Sequence, residues 1–167
     1  DGIPYDKLSD HIGRLPVVII TPNDIDLIYK ASDERRRFLD IAISQLDHAY
    51  LIALLEYNRV LQQRNALLKN FDTTSDAISV LQVFNRQLSK AGIVIHEKRK
   101  NFIKAFEPIF YSVYNALCQN RETPVINYSS QLHVENFATL LSNNRNRDIE
   151  AQRSTVGIHK DELEFSL

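Results

Sequence analysis

Residues 32–70 read SDERRRFLDIAISQLDHAYLIALLEYNRVLQQRNALLKN, and this stretch decides the fold. Ser32 stands where a helix N-cap belongs, and Asp33 and Glu34 follow in the first turn, where the positive end of the helix dipole favours carboxylates. Arg36 and Arg37 lie four residues from Asp40 and Asp33, the spacing of ion pairs along one helix face. Leu39, Ile43 and Leu46 form an apolar stripe. Leu51, Leu54, Asn58, Leu61, Asn65 and Leu68 then alternate at three and four residues, the period of a helix-packing seam. Two amides in that seam trade stability for a fixed register. The spacing predicts a helical hairpin, so a return helix must carry the matching seam.

It does. After the turn and cap residues Asn70 to Thr74, the positions Ile78, Leu81, Asn85, Leu88, Gly92, Ile95, Arg99, Phe102 and Phe106 repeat the alternation. Folded back antiparallel, Leu68 faces Ile78, Leu61 faces Asn85 and Leu54 faces Gly92. Asn58 and Asn85 are then expected to satisfy each other. Gly92 costs about 1 kcal/mol against alanine within a helix; its expected use is close approach of the opposite helix near Leu54 and Tyr57. Pro108 is expected to kink the helix or start a new one. The aromatics of IFYSVYNAL (109–117) fall at helical spacing and read as core.

Outside the hairpin the pattern changes. LPVVIITP (15–22) is a continuous β-branched run closed by proline, the pattern of a strand buried on both faces. PVINYSSQL (124–132) and DELEFSL (161–167) read as two more strands, with a helix from His133 to Gln152 between them. The fold class is therefore mainly α, an antiparallel helical hairpin or bundle with a few flanking β-strands. Three regions are expected: strand and turn over 1–31, a helical arm over 32–122, and a strand-helix-strand return over 123–167. The strand stubs at the two ends are expected to lie side by side. The chain opens Asp-Gly without methionine and closes on a strand-like alternation, so it reads as a piece of something longer.

Bulk properties narrow the function. The chain has 167 residues, 44% hydrophobic and 25% charged, enough for a domain with its own core. No run approaches the roughly 20 apolar residues of a membrane span, and no secretory signal is visible. Cys118 is the single cysteine, which excludes an internal disulfide and fits a reducing cytosol. The five histidines are scattered without metal-ligand spacing, so no metal site is expected. Net charge is −1, yet residues 32–120 hold twelve Lys and Arg against nine Asp and Glu, while the flanks are acidic. A mildly basic helical centre is compatible with phosphate contact.

Specific polar identities go beyond a generic hairpin. RRRFLD (35–40), Tyr50 and YNRVLQQRNALLK (57–69) resemble the RecF family of bacterial recombination mediators, with Arg36, Arg37, Phe38, Leu39, Asp40, Tyr57, Arg59, Gln63, Arg64, Asn65 and Lys69 on its pattern. Asn85, Gln87, Leu88, Gly92, Ile95, Arg99 and Phe102 continue the resemblance, as do Gly13, Arg14, Pro16, Val17, Val18, Pro22 and Asp24 before the hairpin. After it come Tyr128 and Ser130, then GIHKDEL (157–163). The resemblance runs the length of the chain in the family's order.

What it implies is an arm of an ABC-type ATPase related to SMC-like proteins, flanked by strands of the ATPase lobe. Pro22, Asp24, Gly157, His159, Lys160 and Asp161 would mark the lobe junction. The chain has four glycines and no G-x-x-x-x-G-K-(S/T), and it shows neither an S-x-G-Q signature nor a Walker B strand. It holds no expected cofactor and should be inactive alone; ATP and Mg are implied for the intact protein, as is a weak ATPase activity. The resemblance further implies an ATP-dependent homodimer in the cytoplasm. It would bind single-stranded and gapped or junction DNA, acting with RecO and RecR in recombinational repair and the SOS response. Candidate phosphate contacts are Arg35, Arg36, Arg59, Arg64, Lys69, Lys98, Arg99, Lys100 and Lys104, although Arg99 also falls on the seam. His159, Lys160 and Asp161 lack a neighbouring nucleophile and are not read as catalytic. The contrasting reading is a helical protein-interaction module or coiled-coil scaffold without DNA or ATP.

Overall fold

Asp47 divides the organising stretch into two helices. In the computed structural model, which describes residues 8–29, 32–72 and 74–167, α1 spans Asp26–Tyr29, α2 spans Ser32–Leu46 and α3 spans His48–Lys69. Asp47 leaves helical geometry at φ −140°, and its carboxylate accepts the Tyr50 amide, so it caps α3. The return helix α4 runs from Ser75 to Cys118, 44 residues and about 66 Å at 1.5 Å per residue. Thr74 caps its start by accepting the Ala77 amide, and Gln119, in the left-handed region at φ 57°, closes its end.

The chain then makes β1 (Val125–Ser129), α5 (Phe137–Asn143), α6 (Arg145–Glu150) and β2 (Glu162–Ser166). The two strands pair antiparallel, with Ile126 opposite Phe165 and Tyr128 opposite Leu163. A two-stranded ribbon is marginal alone; here it rests on α2 and α4, and Ile126 and Leu163 alternate inward to the core.

That core joins Leu39 and Ile43 of α2, Tyr57 and Val60 of α3, and Leu88, Ile95 and Ile103 of α4 to Phe137 and Leu141 of α5 and to Val156 and Ile158. Burying a side chain such as Phe137 contributes about 1.5–3 kcal/mol. The hairpin is observed: α3 packs against α4 along its length, and the α4 seam predicted by spacing is buried at Leu81, Leu88, Gly92, Ile95 and Arg99.

Seven expectations are corrected. LPVVIITP forms no strand, and Val18 and Ile20 are each 86% exposed. A strand is made by its neighbours, and among the described residues the one sheet is β1–β2. The stubs at the two ends therefore do not lie side by side; β2 pairs with β1 instead. The α3 seam is turned by about one position, so that Tyr57, Val60 and Arg64 are buried while Asn58 is exposed. This happens because α3 is covered from two sides, by α4 and by the return segment. Asn85 consequently meets Arg64, at 2.8 Å, and not Asn58. Arg36 pairs with Asp33 three residues back, because Asp40 is taken by Arg99.

The other two concern helix continuity. Of the two alternatives expected at Pro108, a new helix does not start there: α4 runs through it and forgoes one helical hydrogen bond. The expected helix over 133–152 is broken into α5 and α6, after a short 3-10 turn at Gln131–His133. Gly92 does serve close approach, with an unforeseen partner: a Cβ there would lie 2.5 Å from Phe137 and 3.4 Å from Tyr57.

Candidate functional site

Residues 154–161 form a dense polar junction with α2, α3 and α4. Gly157 sits at φ 125°, and a Cβ there would lie 2.6 Å from the Tyr57 hydroxyl and 2.8 Å from Phe137, so both the backbone and the space require glycine. A 3-10 turn, Ile158–Lys160, follows.

His159 Nε2 lies 3.2 Å from the Ser154 carbonyl, which can only accept, so Nε2 carries the proton. Nδ1 then accepts from the Tyr57 hydroxyl at 2.8 Å. Burial, with Lys160 and Arg36 nearby, lowers His159 to about 4 and keeps it neutral near pH 7. The same burial pushes the Tyr57 hydroxyl above its ordinary value.

Asp161, 1% exposed, accepts from the Tyr128 hydroxyl at 2.6 Å and from Arg99 Nη1 at 2.9 Å. Its carbonyl accepts from Arg36 at 2.5 Å. Arg99 reaches Asp40 at 2.7 Å, the Tyr50 hydroxyl at 3.1 Å and the Ile158 carbonyl at 2.8 Å. Burial alone would lower its affinity for the proton, but Asp40, Tyr50, Tyr128 and Asp161 together raise it, so the charge is fixed.

A second buried arginine ties the other end of the segment. Arg64 Nη2 pairs with Asp148 at 2.8 Å, with neither side chain exposed. Its Nη1 donates to the Ser154 hydroxyl at 2.7 Å. Ser154 donates both its amide and its hydroxyl to Asn65. Thr155 donates its amide and hydroxyl to the far oxygen of Asp148, at 2.8 and 2.5 Å. Two planar guanidinium forks thus fasten one return segment to α2, α3 and α4.

The candidate list divides accordingly. Arg64 and Arg99 are 0% and 1% exposed, so neither reaches a phosphate in this fold; they are corrected to internal braces. Arg36 is drawn into the same junction through Asp33 and the Asp161 carbonyl. Arg35 donates to the Leu27 carbonyl, Lys98 pairs with Asp47 at 2.5 Å, and Arg59 pairs with Glu56 at 2.7 Å. Lys69, Lys100 and Lys104 are exposed.

The lobe-junction residues are not gathered at one point. Asp24 lines a cleft with Phe38, Ile41 and Phe102, whereas His159 lines another with Asn58 and Arg99. Pro22 opens the short turn that ends at Ile25, and Lys160 is exposed. His159 and Asp161 face different partners, so no acid-base trio is assembled. Among the described residues no group of His, Cys, Asp and Glu is placed to hold a metal ion, and no helix is long and apolar enough to cross a membrane.

On α4, two exposed cations escaped the sequence reading. Arg86 and Lys90 stand 14 residues before Lys100 and Lys104, and 14 residues are close to four whole turns. All four therefore share the outward face of α4.

A long antiparallel helical pair, braced at one end by a short sheet and a glycine-bearing turn, defines the chain as a helical arm. No family model matches the chain. Curated relatives do. The chain is 48% identical over 163 residues, 98% of its length, to the DNA replication and repair protein RecF of Parabacteroides distasonis. It is 45% identical over 169 residues to the protein so named in Flavobacterium johnsoniae, and 38% identical to that of Cytophaga hutchinsonii. It covers 44%, 47% and 44% of those proteins, a little under half their length.

Among solved structures, the recombination mediator protein RecF-ATPrS in the RecFOR pathway superposes with a TM-score of 0.87 at 24% identity, covering 97% of this chain and 46% of that one. The RecF-ATP structure gives 0.80 at 26% identity, covering 89% and 42%. The chain belongs to the RecF family and corresponds to a middle region of its members.

Proposed function

We propose that this chain is the helical arm of a DNA replication and repair protein that binds DNA in an ATP-dependent manner. The observation that carries the reading is the 38–48% identity to proteins named for DNA replication and repair, sustained over essentially the whole chain. In this reading residues 1–31 and 123–167 join the arm to the ATPase lobe. The exposed run Val17 to Ile20 then finds its strand partners in that lobe, which accounts for an apolar segment left in solvent here.

The chain has no Gly-rich phosphate loop, so its residues do not fit an ATP or Mg site. Nucleotide is held elsewhere in the parent protein, whose two copies close on it. The arm's contribution is rigidity. Arg64 and Arg99 fasten α3 and α4 to the turn at Gly157–Asp161, so a displacement of the lobe is transmitted to the hairpin as a rigid body. The parent protein acts at single-stranded, gapped or junction DNA in the cytoplasm, with RecO and RecR, in recombinational repair and the SOS response.

The test is genetic. Deleting the gene should sensitise cells to DNA damage, and deleting RecO or RecR as well should add nothing. Additive sensitivity would place the protein outside that pathway.

A further inference from the structure

The α4 helix carries six Lys and Arg residues, and the fold sorts them into two classes. Lys98 and Arg99 turn inward and are ion-paired, Lys98 with the α3 cap Asp47 and Arg99 with Asp40 of α2 and Asp161 of the return segment. Arg86, Lys90, Lys100 and Lys104 are all exposed, and none is ion-paired among the described residues. They recur at steps of 4, 10 and 4 residues, which returns each to within about 40° of one line along the helix at 100° per residue. The buried line through Leu81, Leu88, Ile95 and Arg99 lies on the opposite side.

The result is a ridge about 27 Å long. Glu97 is the single carboxylate in the row, and with Ile93 it fills the gap between the two cation pairs. The ridge holds no aromatic side chain between its cations; Phe84 and Phe102 turn inward to the core.

We propose that this ridge is a sequence-independent contact for the phosphate backbone of duplex DNA. Single-strand sites interleave cations with exposed aromatics on which bases stack, and this face has the cations without the platforms. A duplex laid along it presents about eight phosphates per strand over that length. Lys and Arg on an exposed helix face reach phosphate oxygens without entering a groove, so they fix position and carry no base readout. The proposal rests on the DNA-binding reading above and adds the surface that performs it and the form of DNA it takes.

The test uses the full-length protein with Arg86→Gln, Lys90→Gln, Lys100→Gln and Lys104→Gln combined. A control carries Arg121→Gln, Arg147→Gln and Arg153→Gln, exposed cations off the ridge. Affinity for a blunt duplex and for single-stranded oligonucleotide is measured across salt. The ridge variant should lose about tenfold or more in duplex affinity, and its salt slope should fall by about 3 to 4. Single-strand affinity and the thermal midpoint should stay within error of wild type.

Duplex affinity and slope equal to wild type would overturn the ridge while leaving DNA binding in place. An equal loss in the control would assign the effect to bulk charge and overturn it as well. A wild-type protein that binds no DNA would remove the underlying reading and the ridge together.

Discussion

Arg64 is a cation with none of its surface in water, held by Asp148, Ser154 and Asn85. Removing one member of a buried pair strands the other, at a cost of about 3–5 kcal/mol. Arg64→Ala should therefore lower the urea midpoint far more than Arg59→Ala, whose pair with Glu56 lies at the surface. Similar losses in the two variants would show that Arg64 is not the brace described here. His159 gives a pH signature. Its folded value of about 4 lies below the ordinary 6.5, so the unfolded chain binds more protons between those limits. Stability is then fully present above about pH 6.5 and falls as pH drops toward 4, by on the order of 3 kcal/mol from this group. His96, also lowered by burial and by His133, acts in the same direction. Urea melts between pH 7 and 4 should show that fall, and His159→Gln should flatten it by about one proton.

At the scale of elements, Gly92 sets the distance between α4 and α5. Alanine is ordinarily the better helix former by about 1 kcal/mol, but here its Cβ would sit 2.5 Å from Phe137. Overpacking costs about 1–3 kcal/mol, so Gly92→Ala should destabilise the protein in thermal melts against the sign of helix propensity. A raised midpoint would mean that Phe137 yields freely. The same packing explains what the sequence could and could not reveal. The α4 seam was legible because the covered side of that helix is narrow, and a 3.6-residue period survives in the text. The α3 seam was displaced because cover from two sides widens the buried face until the period blurs. Arginine ordinarily lies at the surface, so nothing local marked Arg64 as interior; Arg99 at least fell on the seam spacing. LPVVIITP had a strand's composition, but composition does not supply the neighbours that make a strand.

For the whole molecule, the GIHKDEL turn was readable as a motif and its location was not. Its partners, Tyr57, Arg99 and Tyr128, lie far away in the chain and were placed by the hairpin. In the proposed function, this braced hairpin serves a protein whose hold on DNA follows its nucleotide. Equilibrium binding of a gapped duplex by the full-length protein, with and without ATP and Mg, measures this most directly. Tighter binding in the presence of ATP is the predicted result; equal affinity in both conditions, or none in either, would contradict it.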